Sequence, residues 1–204
     1  MPDATPLAAL QARDLVLEGG TGAPFSAAFA PGLSLLLDAE GEIKTRLLAV
    51  LAGAAAPHRG AVHWRGQPLP AALATDAALC FWRDPRAPWP EVSPRQWARQ
   101  LAGRYPSWDE TAWQTHADGL RLAEHLDKEM FRISTGGKRK VLLAAALASG
   151  APLTLIDEPE AALDWPSIRY LREALAPVAA TDRVVVVGNY EDIDGVAWRQ
   201  VIRL

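Results

Sequence analysis

Leu153-Thr154-Leu155-Ile156-Asp157-Glu158-Pro159-Glu160-Ala161-Ala162-Leu163-Asp164 decides how this chain is read: an apolar run ends in two carboxylates, a proline follows, then Leu-Asp. A short run of this kind suits a strand buried on both faces of a parallel sheet. Such a strand delivers its last residues to the carboxyl edge of the sheet, where α/β proteins bind ligands. Adjacent Asp and Glu at that edge suit a division of labour. Asp157 can hold Mg²⁺, directly or through water, while Glu158 orients or deprotonates an attacking water. An acidic turn closing a buried strand would look the same over Asp157-Glu158-Pro159 alone. The Leu163-Asp164 pair downstream and Ser134-Thr135-Gly136-Gly137 upstream tip the reading toward a site.

Working outward, Val141 to Ile156 is the longest apolar stretch, but Ser149-Gly150 and Pro152 interrupt it. It therefore reads as a helix followed by a strand, not as a membrane span. Ser134-Thr135 caps that helix, which runs to about Ser149. A helix from about Pro166 to Ala176 and strands at Arg183 to Val187 and Val201 to Leu204 complete the C-terminal part. On the amino side, Leu7 to Leu17 and Pro24 to Ala30 read as short strands around the Gly19-Gly20-Thr21-Gly22 turn. Leu33 to Asp38 is a buried strand, and Lys44 to Leu51 a helix with Leu47, Leu48 and Leu51 on one face. Ala61 to Arg65 and Ala77 to Trp82 are further strands. From Asp84 to about Leu126 the chain turns to tryptophan-rich amphipathic helices, one opening at Ser93-Pro94 and a second near Asp109. Trp89, Trp97, Trp108 and Trp113 there are expected in core or partner contacts. Strands alternating with helices imply an α/β fold with a mostly parallel sheet. The expectation is one domain over 1–204, with N-terminal antiparallel strands and a helical subdomain at about 84–140.

Composition narrows the chemistry. A chain of 204 residues, 50% hydrophobic, can bury one good core. Its net charge of −3 gives no electrostatic footprint for nucleic acid. The short basic run Lys138-Arg139-Lys140 reads as a solvated or partner-facing patch. A single cysteine, Cys80, excludes a disulfide framework and suits a reducing compartment. His58, His63, His116 and His125 lack metal-ligand spacing, so a zinc site is not expected. The start Met1-Pro2-Asp3-Ala4-Thr5-Pro6 lacks the basic and apolar blocks of a signal peptide. A cytoplasmic protein, peripheral to a membrane only through a partner, is expected.

Taken in order, these segments resemble the ATP-binding cassette (ABC) ATPase family over essentially the whole chain. A strand leading to Lys44-Thr45 is followed by a helical insert, then Ser134-Thr135-Gly136-Gly137 before a helix, the Asp157-Glu158 strand, Leu163-Asp164, and one more strand. Arg104 to Asp109 and the compact size look like the small nucleotide-binding subunits of bacterial exporters. The resemblance implies a P-loop NTPase core that uses ATP and Mg²⁺. Asp38, Gly41, Ile43, Lys44, Thr45 and Arg46 fall on the phosphate-binding loop, and Thr45 and Asp157 on the metal. Glu158 falls on the catalytic base, Asn189 on the position of a γ-phosphate histidine, and Asp164 on the D-loop. Ser134, Thr135, Gly136 and Gly137 fall on the signature segment. It also implies a head-to-tail homodimer, or a heterodimer with another ABC subunit, docked on a membrane-spanning transporter subunit.

The phosphate loop departs from that pattern. A phosphate cradle wants glycines so that backbone N–H groups can close on the anion. Asp38-Ala39-Glu40-Gly41-Glu42-Ile43-Lys44-Thr45 keeps only the middle glycine, Gly41. Ile43 crowds the loop, and Asp38, Glu40 and Glu42 bring negative charge to it. Each carboxylate within about 5 Å of a phosphate oxygen costs roughly 3 kcal/mol at an effective dielectric near 20. Three other positions depart as well: no ring at Leu17-Glu18 for the adenine, Arg83 where a glutamine is expected, and Asn189 for the histidine. Taken alone, Ser134 reads as an ordinary helix cap; within this order of segments the signature reading is preferred. The expectation is an ATP-binding transporter subunit whose own site is weakened or abolished. It would then lend Ser134 and Gly136 to a partner's ATP. A scaffold or regulatory protein of the same fold that no longer binds ATP is the alternative. A soluble ATPase acting on nucleic acid is disfavoured by the acidic balance.

Overall fold

The computed structural model describes residues 8–19, 23–40 and 43–204. The strands are β1 (Leu10–Val16), β2 (Phe25–Phe29), β3 (Gly32–Leu37), β4 (Arg59–Trp64), β5 (Gln67–Pro68), β6 (Cys80–Phe81), β7 (Leu153–Asp157), β8 (Val184–Asn189) and β9 (Gln200–Arg203). The α-helices are α1 (Lys44–Leu51), α2 (Leu69–Thr75), α3 (Pro94–Arg104), α4 (Glu110–Gly119), α5 (Thr135–Ala148) and α6 (Trp165–Leu175). Two sheets result: antiparallel β2-β1-β4-β5, and parallel β6-β7-β8-β3-β9.

The continuous burial of β3 and β7 follows from their position inside the parallel sheet, with cover on both faces. Leu33, Leu35 and Leu37 point to a core shared with α3, α4, α5 and α6. Leu36, on the alternate side, packs with Leu47, Leu48 and Leu51 of α1 and with the antiparallel sheet. Trp113 is buried in the first core, and Trp89, Trp97 and Trp108 pack against it, as expected for core tryptophans. Cys80 is buried, and its surroundings push the thiol up to about 12, so it behaves as a small apolar residue.

Local signals set most helix starts. Ser93 and Gln96 form a reciprocal capping box before α3, Asp109 caps α4, Ser134 caps α5 and Asp164 caps α6. Two expectations change. The strand expected over Ala77 to Trp82 shrinks to Cys80–Phe81, paired only with β7 as an edge strand. The segment after Trp64, read only as a turn, carries β5 and α2.

Registry is what builds the functional edge. Leu37 of β3 lies opposite Asn189 of β8, and Gly188 opposite Asp157 of β7. Three strands thus end level, and Asp38, Asp157-Glu158 and Asn189-Tyr190 emerge at one rim.

Candidate functional site

At that rim the two halves of the sequence meet. Lys44 Nζ donates to Glu158 Oε1 at 2.7 Å and lies 4.0 Å from Asp157 Oδ1. Thr45 Oγ1 donates to Asp157 Oδ2 at 2.6 Å. Lys44 and Thr45 open α1, so the first turn of that helix stands beside the carboxylate pair. Glu158 takes a positive φ of 47°, rare for a residue with a side chain, while its N–H is held by the Gly188 carbonyl at 2.8 Å. That turn swings the carboxylate out of the strand direction and onto Lys44. Arg139 of α5 donates to the Asp157 carbonyl and steadies the strand end from the other side.

The charges perturb one another. Burial opposes the ammonium of Lys44. The Glu158 hydrogen bond and the two carboxylates outweigh that, so its pKa lies above the ordinary 10.5. Burial likewise works against the Glu158 carboxylate, but the Lys44 bond, with the Tyr190 hydroxyl and the Lys44 charge adding to it, holds its pKa below the ordinary value. Asp157 goes the other way: burial raises its pKa despite Thr45 and Lys44. Its Oδ1 is buried with no hydrogen-bond partner. An orphaned carboxylate oxygen beside a threonine hydroxyl fits a hard cation such as Mg²⁺, which takes one or two carboxylates and completes its shell with phosphate and water. Thr45 and Asp157 would hold it.

Asp38 sits where the pattern has a glycine. It is buried, and its Oδ2 accepts from the N–H of Ile43 at 2.7 Å and of Lys44 at 2.9 Å. Ile43 is 41% exposed and lines an apolar recess of about 350 Å³ with Leu17, Phe25 and Leu47. Its side chain therefore leaves the loop outward, contrary to the crowding expected. Glu40 is exposed. Gly41 and Glu42 lie outside the described residues. Arg46 bonds the Glu18 carbonyl at 3.0 Å, across a cavity of about 240 Å³ that also receives Leu17, Thr45 and Trp82. Trp82 is an aromatic in the region where none was expected, because it comes from the end of β6 and not from β1.

Two pattern positions are engaged in bonds of their own. Asn189, expected toward the γ-phosphate, spends its amide on the Glu191 carbonyl at 2.8 Å. Its neighbour Tyr190 is the one that reaches the centre: its ring lies 3.7 Å from Lys44 Nζ. Sequence reasoning missed Tyr190 because no pattern marks it. Arg83, where a glutamine was expected, stacks on Trp89 at 3.9 Å and bonds the Ala87 carbonyl.

The signature residues stand apart from this cluster. Ser134 Oγ accepts from Gly137 N–H at 3.1 Å, the helix-cap reading, while Ser134 and Thr135 remain exposed. At Gly136 a Cβ would come within 2.3 Å of the Ala162 carbonyl, so a glycine is required by a contact within the chain. Ala162 itself has φ of 61°. Asp164 accepts from Lys140 at 2.6 Å, and that bond together with one from the Ser167 N–H holds its carboxyl well below the usual range.

A parallel sheet with a Lys-Thr helix start facing an Asp-Glu strand end defines a P-loop nucleotide-binding protein. The sequence pattern of the ABC transporter family matches residues 39–161, more than half the chain, and the protein belongs to that family as an ATP-binding subunit. The chain is 35% identical over 176 residues to a cytochrome c biogenesis ATP-binding export protein CcmA of Paramagnetospirillum magneticum, covering 81% of this chain and 78% of the relative. It is 30% identical over 207 residues to one of Salmonella paratyphi A, covering 92% of each. Among solved structures, a putative ABC transporter ATP-binding protein of Pyrococcus furiosus superposes with a TM-score of 0.76 at 19% identity, over 96% of each chain. Among the described residues no helix is long and apolar enough to cross a membrane.

Proposed function

We propose that this chain is the nucleotide-binding subunit of an exporter-like ABC transporter, docked on a membrane-spanning partner at the cytoplasmic face, with an impaired P-loop site of its own. The relatives named for export in cytochrome c biogenesis make that process the first candidate for its role. The observation that carries the ATP-site reading is the meeting of Lys44 with Glu158 and of Thr45 with Asp157 at one rim. Lys44 would bind the β- and γ-phosphates, and Glu158, freed from Lys44, would accept a hydrogen bond from the attacking water. Thr45 and Asp157 would hold Mg²⁺, which would supply neutralisation of the phosphate charge. The site is impaired because the loop carries Asp38 for glycine and because Asn189 cannot exchange a proton near pH 7.

The chain would work in a head-to-tail pair, homo- or heteromeric, and lend Ser134 and Gly136 to the facing nucleotide. Phe131 and Trp165, 66% and 65% exposed beside the signature segment and Asp164, support a protein contact there.

Equilibrium dialysis with Mg-ATP, and ATP hydrolysis alone and with the membrane partner, test the reading. Weak retention is expected, abolished by Lys44→Ala, with turnover only in the complex and lost in Glu158→Gln. Micromolar binding by the isolated chain refutes the impairment. Absence of binding and turnover even in the complex refutes the ATP-binding role and leaves the scaffold.

A further inference from the structure

We propose that Asp38 is a resident anion of the phosphate cradle: its carboxylate fills the position of a nucleotide phosphate and competes with nucleotide for the N–H groups that open α1. The proposal rests on the reading of this rim as an ATP site and explains how that site is impaired.

A phosphate-binding helix start works through consecutive N–H groups converging on an anionic oxygen. Here two consecutive N–H groups, of Ile43 and Lys44, converge on one oxygen, Asp38 Oδ2. The carboxylate is held inside, 4% exposed, and its own backbone N–H is fixed to the Asn189 carbonyl at 3.0 Å. Asp38 thus leaves the rim where the parallel strands end, and its short side chain reaches across the loop to the helix. A charge-assisted bond to a carboxylate is close in length and strength to one made to phosphate, so the exchange offers nucleotide little.

The other phosphate-binding groups are satisfied in the same manner. The Lys44 ammonium, which is fully buried, carries Glu158 at 2.7 Å and lies under the Tyr190 ring, and the Thr45 hydroxyl is on Asp157. Asp157 Oδ1 is left without a hydrogen bond, an acceptor suited to a cation. Three carboxylates therefore stand in for the bound anion. Among the described residues, Asp38 is the one that occupies the backbone cradle itself. This differs from general acidity of the loop: Glu40 is exposed and contributes only long-range repulsion.

The experiment is titration of the full-length chain with inorganic pyrophosphate and with Mg-ATP, comparing wild type, Asp38→Ala, Asp38→Asn and Glu40→Ala. Asp38→Ala is expected to bind both ligands more tightly by about tenfold or more, and Asp38→Asn, uncharged but still an acceptor, by a smaller factor. Glu40→Ala is expected to change binding by less than about twofold at physiological salt. Because Asp38 also caps α1, circular dichroism and Tm accompany each variant. Should Asp38→Ala fail to fold, Asp38→Asn carries the test. It is read by binding and by the Ile43 and Lys44 amide resonances, which should move with pyrophosphate in the variant and stay fixed in wild type. No gain in a folded Asp38 variant, or an equal gain in Glu40→Ala, overturns the proposal and leaves the ATP-site reading intact. A gain that survives added Lys44→Ala puts the anion elsewhere and overturns both.

Discussion

Glu158→Gln should lower stability and tighten nucleotide binding at once, because one carboxylate serves two incompatible partners. In the free protein Glu158 Oε1 is 2.7 Å from Lys44 Nζ, and Asp157 Oδ1 is 4.0 Å away. The gross attractions are about 6 and about 4 kcal/mol at an effective dielectric of about 20. Most of that is consumed by burying the ammonium, and what a substitution reveals is the difference between charged and neutral acceptors. Glutamine keeps an acceptor oxygen and Asp157 keeps a charge nearby, so the loss is about 1–2 kcal/mol, against about 3 kcal/mol or more for Glu158→Ala. In a chain of this size that lowers Tm by about 2–8 °C. The depressed pKa of Glu158 adds a second readout. Its contribution is complete above the ordinary value of 4.5 and is lost as pH falls through the lower folded value, so the variant loses that part of the acid limb. With Glu158 neutral, Lys44 no longer exchanges a carboxylate for a phosphate, and Mg-ATP affinity rises by about tenfold, the equivalent of about 1.4 kcal/mol. Scanning calorimetry between pH 3 and 8 (~3–8 covers the carboxylate range) and isothermal titration with Mg-ATP measure both. Tighter binding without a fall in Tm would be simple charge removal and refutes the exchange; weaker binding refutes it outright.

Gly136→Ala should destabilise the chain by about 1–3 kcal/mol, since its Cβ would meet the Ala162 carbonyl at 2.3 Å; a Tm equal to wild type in thermal melts shows that the signature turn is not packed as described. Tyr105→Phe should flatten alkaline unfolding. Burial pushes the Tyr105 hydroxyl up to about 12 while it donates to the Cys80 carbonyl, so its contribution is full below about 10 and disappears as pH rises through about 12. Urea melts across that range should differ in slope between variant and wild type. Arg183→Met should cost about 3 kcal/mol, because the guanidinium serves the Ala146, Leu147 and Ala151 carbonyls and the Thr154 hydroxyl; urea unfolding with an unchanged midpoint would refute that role.

The sequence carried the elements whose cause is local. The start of α1 at Lys44, the Ser93 and Asp109 caps and the buried β7 strand all follow from adjacent residues, and all appear where expected. The rim itself was legible too, since strand ends of a parallel sheet share one edge. What escaped were contacts between distant segments. Arg183 reads as the start of a strand, yet it closes the C-terminal carbonyls of α5, a partnership no local pattern encodes. Tyr190 sits one residue past a pattern position, and only the register of β8 beside β3 brings its ring over Lys44. Asp38 was legible as a charge but not as a hydrogen-bond acceptor. Its effect on the loop depends on where the carboxylate points.

The direction of that carboxylate resolves an apparent contradiction in the chain: a phosphate loop that keeps one pattern glycine, Gly41, beside an intact Asp157-Glu158 pair. Loss of nucleotide alone would be expected to release both halves together. The structure binds them to each other. Lys44 is a fully buried ammonium, and removing the partner of a buried charge costs about 3–5 kcal/mol, a large share of the stability of any domain. Glu158, Asp157 and Tyr190 supply its surroundings, and Thr45 bonds Asp157 Oδ2. Stability therefore ties the lysine to the acidic pair whether or not ATP is turned over. The glycine positions carry no such tie, because Asp38 supplies its own acceptor to the helix start and Ile43 turns outward. Presence of the acidic pair is then weak grounds for hydrolysis, and the double variant Lys44→Met/Glu158→Gln is the sharper probe. Its stability should exceed that of Lys44→Met alone, which leaves Glu158 without its cation. If the double variant is the less stable of the two in urea melts, the pair is not held together by mutual burial, and its persistence has to be sought in catalysis.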